Sequence, residues 1–307
     1  MYRPSGIIAS LVTHFTPAGA IDRDGIVKTV DFLARRGIHG VCICGGTGEA
    51  LSLTDEEHAT AVEAAVEGAA GRCGVVAGAL YLDPARIAAA GRAAARAGAD
   101  AVMIIAPYFV RPSADDIYEH VARLTDLVEL PLILFNSPSR AGLDMDTRLL
   151  VRIATQLPKV VGVKEASGNL AKFARVVRES PSDFRMLQGL DDLVLPALAL
   201  GGAGALITLG AVIPGTFVRL FEAVNKNDLA AARALQLAAL PVIDAVLTAS
   251  RDLVPAGHPV LNASTELISP ATIAEGEPIR AVEALLVVGQ LLVAIPPDPP
   301  RRGVRTR

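Results

Sequence analysis

Residues 160–178 read VVGVKEASGNLAKFARVVR. Val160–Lys164 is a short apolar run that ends in a charged residue, and Asn169–Arg178 reads as a helix. The same unit recurs along the chain. The other runs are Ile7–Val12, Gly40–Cys44, Val75–Ala77, Ala101–Ile105, Leu132–Phe135, Arg185–Gln188 and Ala205–Leu209. The helical stretches that follow them are Asp24–Arg36, Asp55–Ala69, Pro84–Ala97, Ser113–Leu127, Asp146–Thr155, Asp191–Leu200 and Pro214–Lys226. Continuous apolar runs suit strands buried on both faces, hence a parallel sheet. Eight strand–helix units in this order predict an α/β fold, the (β/α)8 TIM barrel. Helix starts are marked by Thr54 before Asp55-Glu56-Glu57 and by Asp83-Pro84. A doubly wound sheet would need a glycine-rich turn after its first strand. The chain there reads Thr13-His14-Phe15-Thr16-Pro17.

Two further helices, Asp228–Ala249 and Pro278–Val293, follow the barrel. The expected organisation is therefore a barrel over 1–226, C-terminal helices over 227–295 and a flexible tail over 296–307. With 307 residues, 51% of them hydrophobic, the chain can bury a core of this size. A net charge of -3 argues against nucleic acid or a polybasic membrane anchor as partner. The uncharged stretch Leu193–Val218 is broken by Pro196, Gly201, Gly202, Gly204, Gly210, Pro214 and Gly215, so it reads as buried barrel elements rather than a membrane span. Met1 leads straight into the first apolar run without a signal peptide, and a cytoplasmic location is expected. Cys42 and Cys44 read as buried thiols, and no histidine cluster accompanies them as metal ligands would. No metal or nucleotide cofactor is expected.

Barrel enzymes place their chemistry at the C-terminal ends of the strands. Lys164 ends the sixth run. A lysine among Val and Gly is desolvated, its pKa falls, and a neutral amine attacks a carbonyl to give an imine. The plainer alternative is a lysine that leaves the barrel mouth to meet Glu165. After the second run, Gly45-Gly46-Thr47-Gly48-Glu49 offers close backbone N–H groups and a hydroxyl, a cradle for a carboxylate. Glu49 is expected to orient that loop. Pro107-Tyr108-Phe109 follows the fourth run. Phe135-Asn136-Ser137-Pro138-Ser139-Arg140 spans the end of the fifth, where Arg140 could grip a second carboxylate. His14 stands at the same mouth as a possible acid–base group, though a loop histidine bonded to backbone is the plainer reading. His58 and His120 read as structural or solvated, and nothing marks His39 or His258.

Taken together, LVTHFTPAGAID, GGTGEALSLTDEEH, APYFVRPSADDIYEH, LILFNSPSRAG, VVGVKEASGN and LGGAGALI resemble the dihydrodipicolinate synthase / N-acetylneuraminate lyase family over residues 5–226. The resemblance implies a homotetramer or homodimer that binds pyruvate or a related 2-oxo acid and uses class I chemistry. It makes Lys164 the Schiff-base lysine and the Gly46-Thr47-Gly48 turn the carboxylate cradle. Arg140 becomes the grip on a second substrate, and Leu206 supplies a backbone carbonyl beside the imine partner. Three departures stand out. Gly46 replaces the first of a Thr pair. Phe135 replaces the Tyr that carries the proton beside the lysine. Phe109 replaces a second Tyr of the relay. Positioned acid–base groups contribute roughly 10²- to 10⁴-fold. Tyr108, Thr47, Ser137, Ser167, the substrate's own groups or water would have to move the proton.

The expected function is a Schiff-base lyase, an aldolase or dehydratase, working through Lys164 with Tyr108 and Thr47 as nearby polar groups and Phe135 in the tyrosine's place. The alternatives are 4-hydroxy-tetrahydrodipicolinate synthase and a non-catalytic 2-oxo-acid binder. A segment from Pro259 to Thr265 departs from the family's C-terminal pattern.

Overall fold

Seven short apolar runs and the one ending in Lys164 form the strands, and they are buried almost throughout. The computed structural model describes residues 1–252. Its strands are β1 (Gly6–Ser10), β2 (Gly40–Ile43), β3 (Gly74–Gly78), β4 (Ala101–Ile105), β5 (Leu132–Asn136), β6 (Val160–Glu165), β7 (Arg185–Gln188) and β8 (Gly204–Ile207). They pair in parallel and in chain order, and β8 closes on β1. Every strand therefore delivers its C-terminal end to one mouth of the barrel.

The outer layer comprises α1 (Arg23–Arg35), α2 (Asp55–Ala69), α3 (Pro84–Ala97), α4 (Ala114–Leu127), α5 (Pro138–Ala141), α6 (Thr147–Gln156), α7 (Leu170–Glu179), α8 (Val194–Ala199) and α9 (Pro214–Asn225). The expected start signals are in place. Thr54 and Glu57 form a reciprocal capping box at α2, and Asp83 caps α3 ahead of Pro84. One expectation is corrected. The helix expected over Asp191–Leu200 is a 3-10 turn at Asp191–Leu193 followed by α8. The stretch after β5 contains the one-turn α5, which is too short to show a periodicity in the sequence.

Beyond the barrel, α10 (Leu229–Asp252) packs on α9 and α8. Its window Leu229–Val246 has a mean hydropathy of 1.5, long and apolar enough by length and composition to cross a membrane. One face of it, Ala232, Gln236, Ala239 and Ile243, is buried at helical spacing. Gln236 joins this helix to the mouth. Its Nε2 donates to the Asp191 carbonyl at 3.0 Å, and its Oε1 accepts from the Leu195 amide at 3.0 Å. The expected helix Pro278–Val293, the 296–307 tail and the 259–265 segment lie outside the described residues.

Gln236→Ala orphans a part-buried donor and a part-buried acceptor, and each hydrogen bond lost is worth about 0.5–1.5 kcal/mol. The denaturation midpoint should fall by a corresponding amount, measured on the full chain by urea unfolding.

Candidate active site

Adjacent strand residues point to opposite faces. In the β5–β6 register, Phe135 pairs with Lys164 and Asn136 with Glu165. The first pair faces the barrel interior and the second faces the helices.

The outward pair anchors a polar network that is buried except at Asp144. Asn136 Nδ2 donates to Glu165 Oε2 and to Asp144 Oδ1, each at 2.8 Å. Asn136 Oδ1 accepts from the Met145 amide at 3.0 Å. Lys172, on α7, lies 3.2 Å from Glu165 and also pairs with Asp144. Glu165 Oε1 accepts from the Ser167 amide at 2.7 Å. This network holds the ends of β5 and β6 and the segment between α5 and α6. It also overturns the expectation that Lys164 could reach Glu165, because that carboxylate lies on the opposite face of the strand and belongs to Lys172.

Lys164 is left inside, only 8% exposed, with no ion-pair partner among the described residues. Its Nζ lies 4.5 Å from the centroid of the Phe135 ring. Burial lowers its pKa, and the charge of Arg140 acts in the same direction; Cys42 and Asp191 oppose them. Gly189 makes room for the side chain: a Cβ there would stand 3.1 Å from Lys164 Cγ and 2.8 Å from Ala166 Cβ.

Beside this amine opens a cleft of about 390 Å³ lined by Gly46, Glu49, Ala50, Leu51, Ser52, Leu80, Ile105, Tyr108, Phe135 and Arg140. Arg140, on α5, makes no ion pair among the described residues. A Cβ added to Gly46 would lie 3.7 Å from its Cζ, so the guanidinium lies over the glycine turn. Thr47 Oγ1 accepts from Ser10 Oγ at 3.2 Å and lies 3.3 Å from Thr208 Oγ1. The Gly48 carbonyl accepts from Thr13 Oγ1 at 2.6 Å.

Glu49 does not hold this loop with its side chain. Its carboxylate has no hydrogen bond among the described residues, burial raises its pKa, and the backbone is left-handed at φ 55. Tyr108 lines the cleft, and its hydroxyl donates to the Leu80 carbonyl at 3.2 Å. Phe109 is 96% exposed and left-handed, with φ 70. Leu206 is fully buried in β8, paired with Ile8.

The remaining candidates lie apart from this group. His14 turns toward α1, where its Nε2 bonds Thr29 Oγ1 at 3.1 Å; burial lowers its pKa. His58 is buried and its Nε2 meets the Gly78 carbonyl at 2.8 Å, which is a structural contact. His39 accepts from the Ile7 amide at 3.1 Å at the opposite end of the barrel. Ser137 is buried at the end of β5, with its Oγ 3.5 Å from Ser139 Oγ, and Ser167 Oγ accepts from the Asn169 amide at 3.2 Å. His258 lies outside the described residues. Cys42 and Cys44 are free buried thiols, and burial pushes Cys42 up to about 11. Among the described residues no group of three or more His, Cys, Asp and Glu side chains could hold a metal ion.

Sequence reasoning missed three polar residues at this mouth: Ser10, Thr208 and Asp191. Asp191 follows β7, and its Oδ1 accepts from the Leu209 amide at 2.8 Å. Burial raises its carboxyl to about 6, against the opposing effects of that amide and of Lys164. The signal was available, since Asp191-Asp192 comes directly after a barrel strand at its C-terminal end.

The mouth of this parallel barrel thus gathers a buried lysine and a guanidinium, neither with an ion-pair partner among the described residues, beside an open glycine turn. A model of the dihydrodipicolinate synthetase family matches residues 3–259, and the chain belongs to that family. A 4-hydroxy-tetrahydrodipicolinate synthase of Methanopyrus kandleri is 33% identical over 280 residues, 91% of each chain. One of Nitratidesulfovibrio vulgaris is 36% identical over 228 residues, 74% of this chain and 78% of that one. Among solved structures, a dihydrodipicolinate synthase of Bacillus anthracis superimposes with a TM-score of 0.81 at 26% identity, covering 96% of this chain and 100% of that one. One from Aquifex aeolicus gives 0.80 at 25% identity, covering 94% and 98%. The chain is thus an enzyme of the lyase type.

Asp191 ionises as the pH rises through about 6. Its negative charge then favours the Lys164 ammonium and repels an incoming carboxylate. Borohydride trapping of a 2-oxo acid, titrated between pH 5 and 8, should show an inflection near 6 with weaker binding on the alkaline side. Asp191→Asn should remove that inflection.

Proposed function

We propose that Lys164 forms an imine with pyruvate or a related small 2-oxo acid, and that the enzyme uses the imine for carbon–carbon or carbon–oxygen lyase chemistry in the cytoplasm. The observation that carries this reading is the amine itself, buried at the mouth with no ion-pair partner among the described residues and with its pKa lowered chiefly by burial. The neutral amine adds to the C2 carbonyl carbon and water leaves, giving C=N. The protonated imine draws electrons from C3, so a proton or a carbon substituent can depart from C3 and leave an enamine. No metal or bound cofactor enters these steps. The Gly46-Thr47-Gly48 turn receives the substrate carboxylate, and Arg140 receives an anionic group beside it. Phe135 keeps a ring against the amine but offers no proton. With the Tyr108 hydroxyl committed to Leu80, proton transfer falls to Asp191 and to the substrate's own polar groups.

The second reading is 4-hydroxy-tetrahydrodipicolinate synthase. The names carried by relatives 33% and 36% identical support it, as does the Arg140 guanidinium over the cleft, which makes no ion pair among the described residues. Gly46, Phe109 and Phe135 favour an aldolase or dehydratase instead. Borohydride reduction with pyruvate, followed by peptide mass spectrometry, should place a pyruvyl adduct on Lys164 that Lys164→Ala lacks. Failure with pyruvate and with a panel of longer 2-oxo acids would sink the imine reading. Product analysis with aldehyde acceptors and with sugar acids then separates the two reactions.

The same reading includes a homotetramer or homodimer. Its support is Phe109, an aromatic ring 96% exposed on a left-handed backbone that costs about 1–3 kcal/mol to hold. Contact with a second copy would offset that strain. Light scattering of the full chain at micromolar concentration should report a dimer or tetramer, and Phe109→Ser should weaken it; a wild-type monomer overturns this part.

A further inference from the structure

Gly46 removes a side-chain hydroxyl from the glycine turn, yet the turn is not poor in hydroxyls. Ser10 at the end of β1 and Thr208 just past β8 flank Thr47 at 3.2 and 3.3 Å. The barrel closure brings them together. β1 and β8 run in register with Ala9 opposite Ile207, so the next step sets Ser10 beside Thr208, and the turn after β2 lies across both. Ser10 is 1% exposed and Thr208 is half-buried. Neither hydroxyl has another hydrogen-bond partner among the described residues.

A hydroxyl has one proton and two lone pairs. Ser10 gives its proton to the Thr47 oxygen. If Thr208 gives its proton there too, both lone pairs of Thr47 are occupied and its own proton has only a ligand to go to. Each bond received also polarises the O–H that is given. We propose that Ser10 and Thr208 are positioning residues that aim the Thr47 hydroxyl at the carboxylate of the bound 2-oxo acid, in place of the hydroxyl Gly46 lacks. Two hydroxyls, one at the end of β1 and one just past β8, fix a third on a loop, which is the requirement for a preorganised binding site. The inference rests on the imine chemistry proposed for Lys164.

The test is borohydride trapping on the full chain across a range of pyruvate concentrations. Ser10→Ala and Thr208→Val should each raise the half-saturating pyruvate about five- to tenfold, the worth of one hydrogen bond. The shift should fall on that concentration rather than on the saturated rate, and Thr208→Ser should restore it. In a Thr47→Val background both changes should have no further effect. Should Ser10→Ala fail to fold, Thr208→Val with its Ser rescue carries the same comparison. An adduct with unshifted half-saturation in these variants, or effects that persist without Thr47, overturns this proposal alone. A wild-type protein that forms no adduct overturns the Lys164 reading and this proposal with it.

Discussion

Strand alternation at the end of β6 governs the site. Lys164 and Glu165 are neighbours in sequence, and pleating sends them to opposite faces. Glu165 meets the Lys172 ammonium and Asn136 among the helices. The only carboxylate next to Lys164 in sequence is thereby neutralised elsewhere, and the amine stays inside, desolvated and without an ion-pair partner among the described residues. Breaking a buried ion pair of this kind leaves an uncompensated charge. The outward network therefore holds the inward amine in place, and through Asp144 and Met145 it holds the chain that follows α5.

A second consequence of barrel closure concerns the loops. Residues far apart in the chain converge because the strands end together. Thr47 and Thr208 are 161 positions apart and 3.3 Å apart in space. Arg140 lies over Gly46 because α5 is a single turn capped by Gly142 in the left-handed region, which leaves the guanidinium close to the mouth. A residue without a side chain on β2's loop thus shares the cleft with a long side chain from β5's loop.

The barrel was legible because buried parallel strands leave continuous apolar runs, and Lys164 was legible as the charge that ends one of them. Thr54 and Asp83 were legible because capping chemistry is local. What escaped was short or long-range. The four residues of α5 span one turn and carry no period. Ser10 looks like an ordinary strand residue until closure places Thr47 over it. Asp191 was read as the first residue of a helix, so its place at the mouth went unnoticed. Glu165 was considered as a partner for Lys164 because adjacency in sequence was weighed ahead of pleat direction.

Gln236 gives the added helix α10 a part in all this. Through one amide side chain it holds the Asp191 carbonyl and the Leu195 amide, the two sides of the turn that presents Asp191 to the mouth. A chain ending after α9 would retain every strand of the barrel and still lose the clasp on that turn. The eight strand–helix units are thus closed as a sheet, yet the turn that carries Asp191 is held by a helix beyond them, and the boundary drawn by topology is not the boundary of the hydrogen-bonded unit.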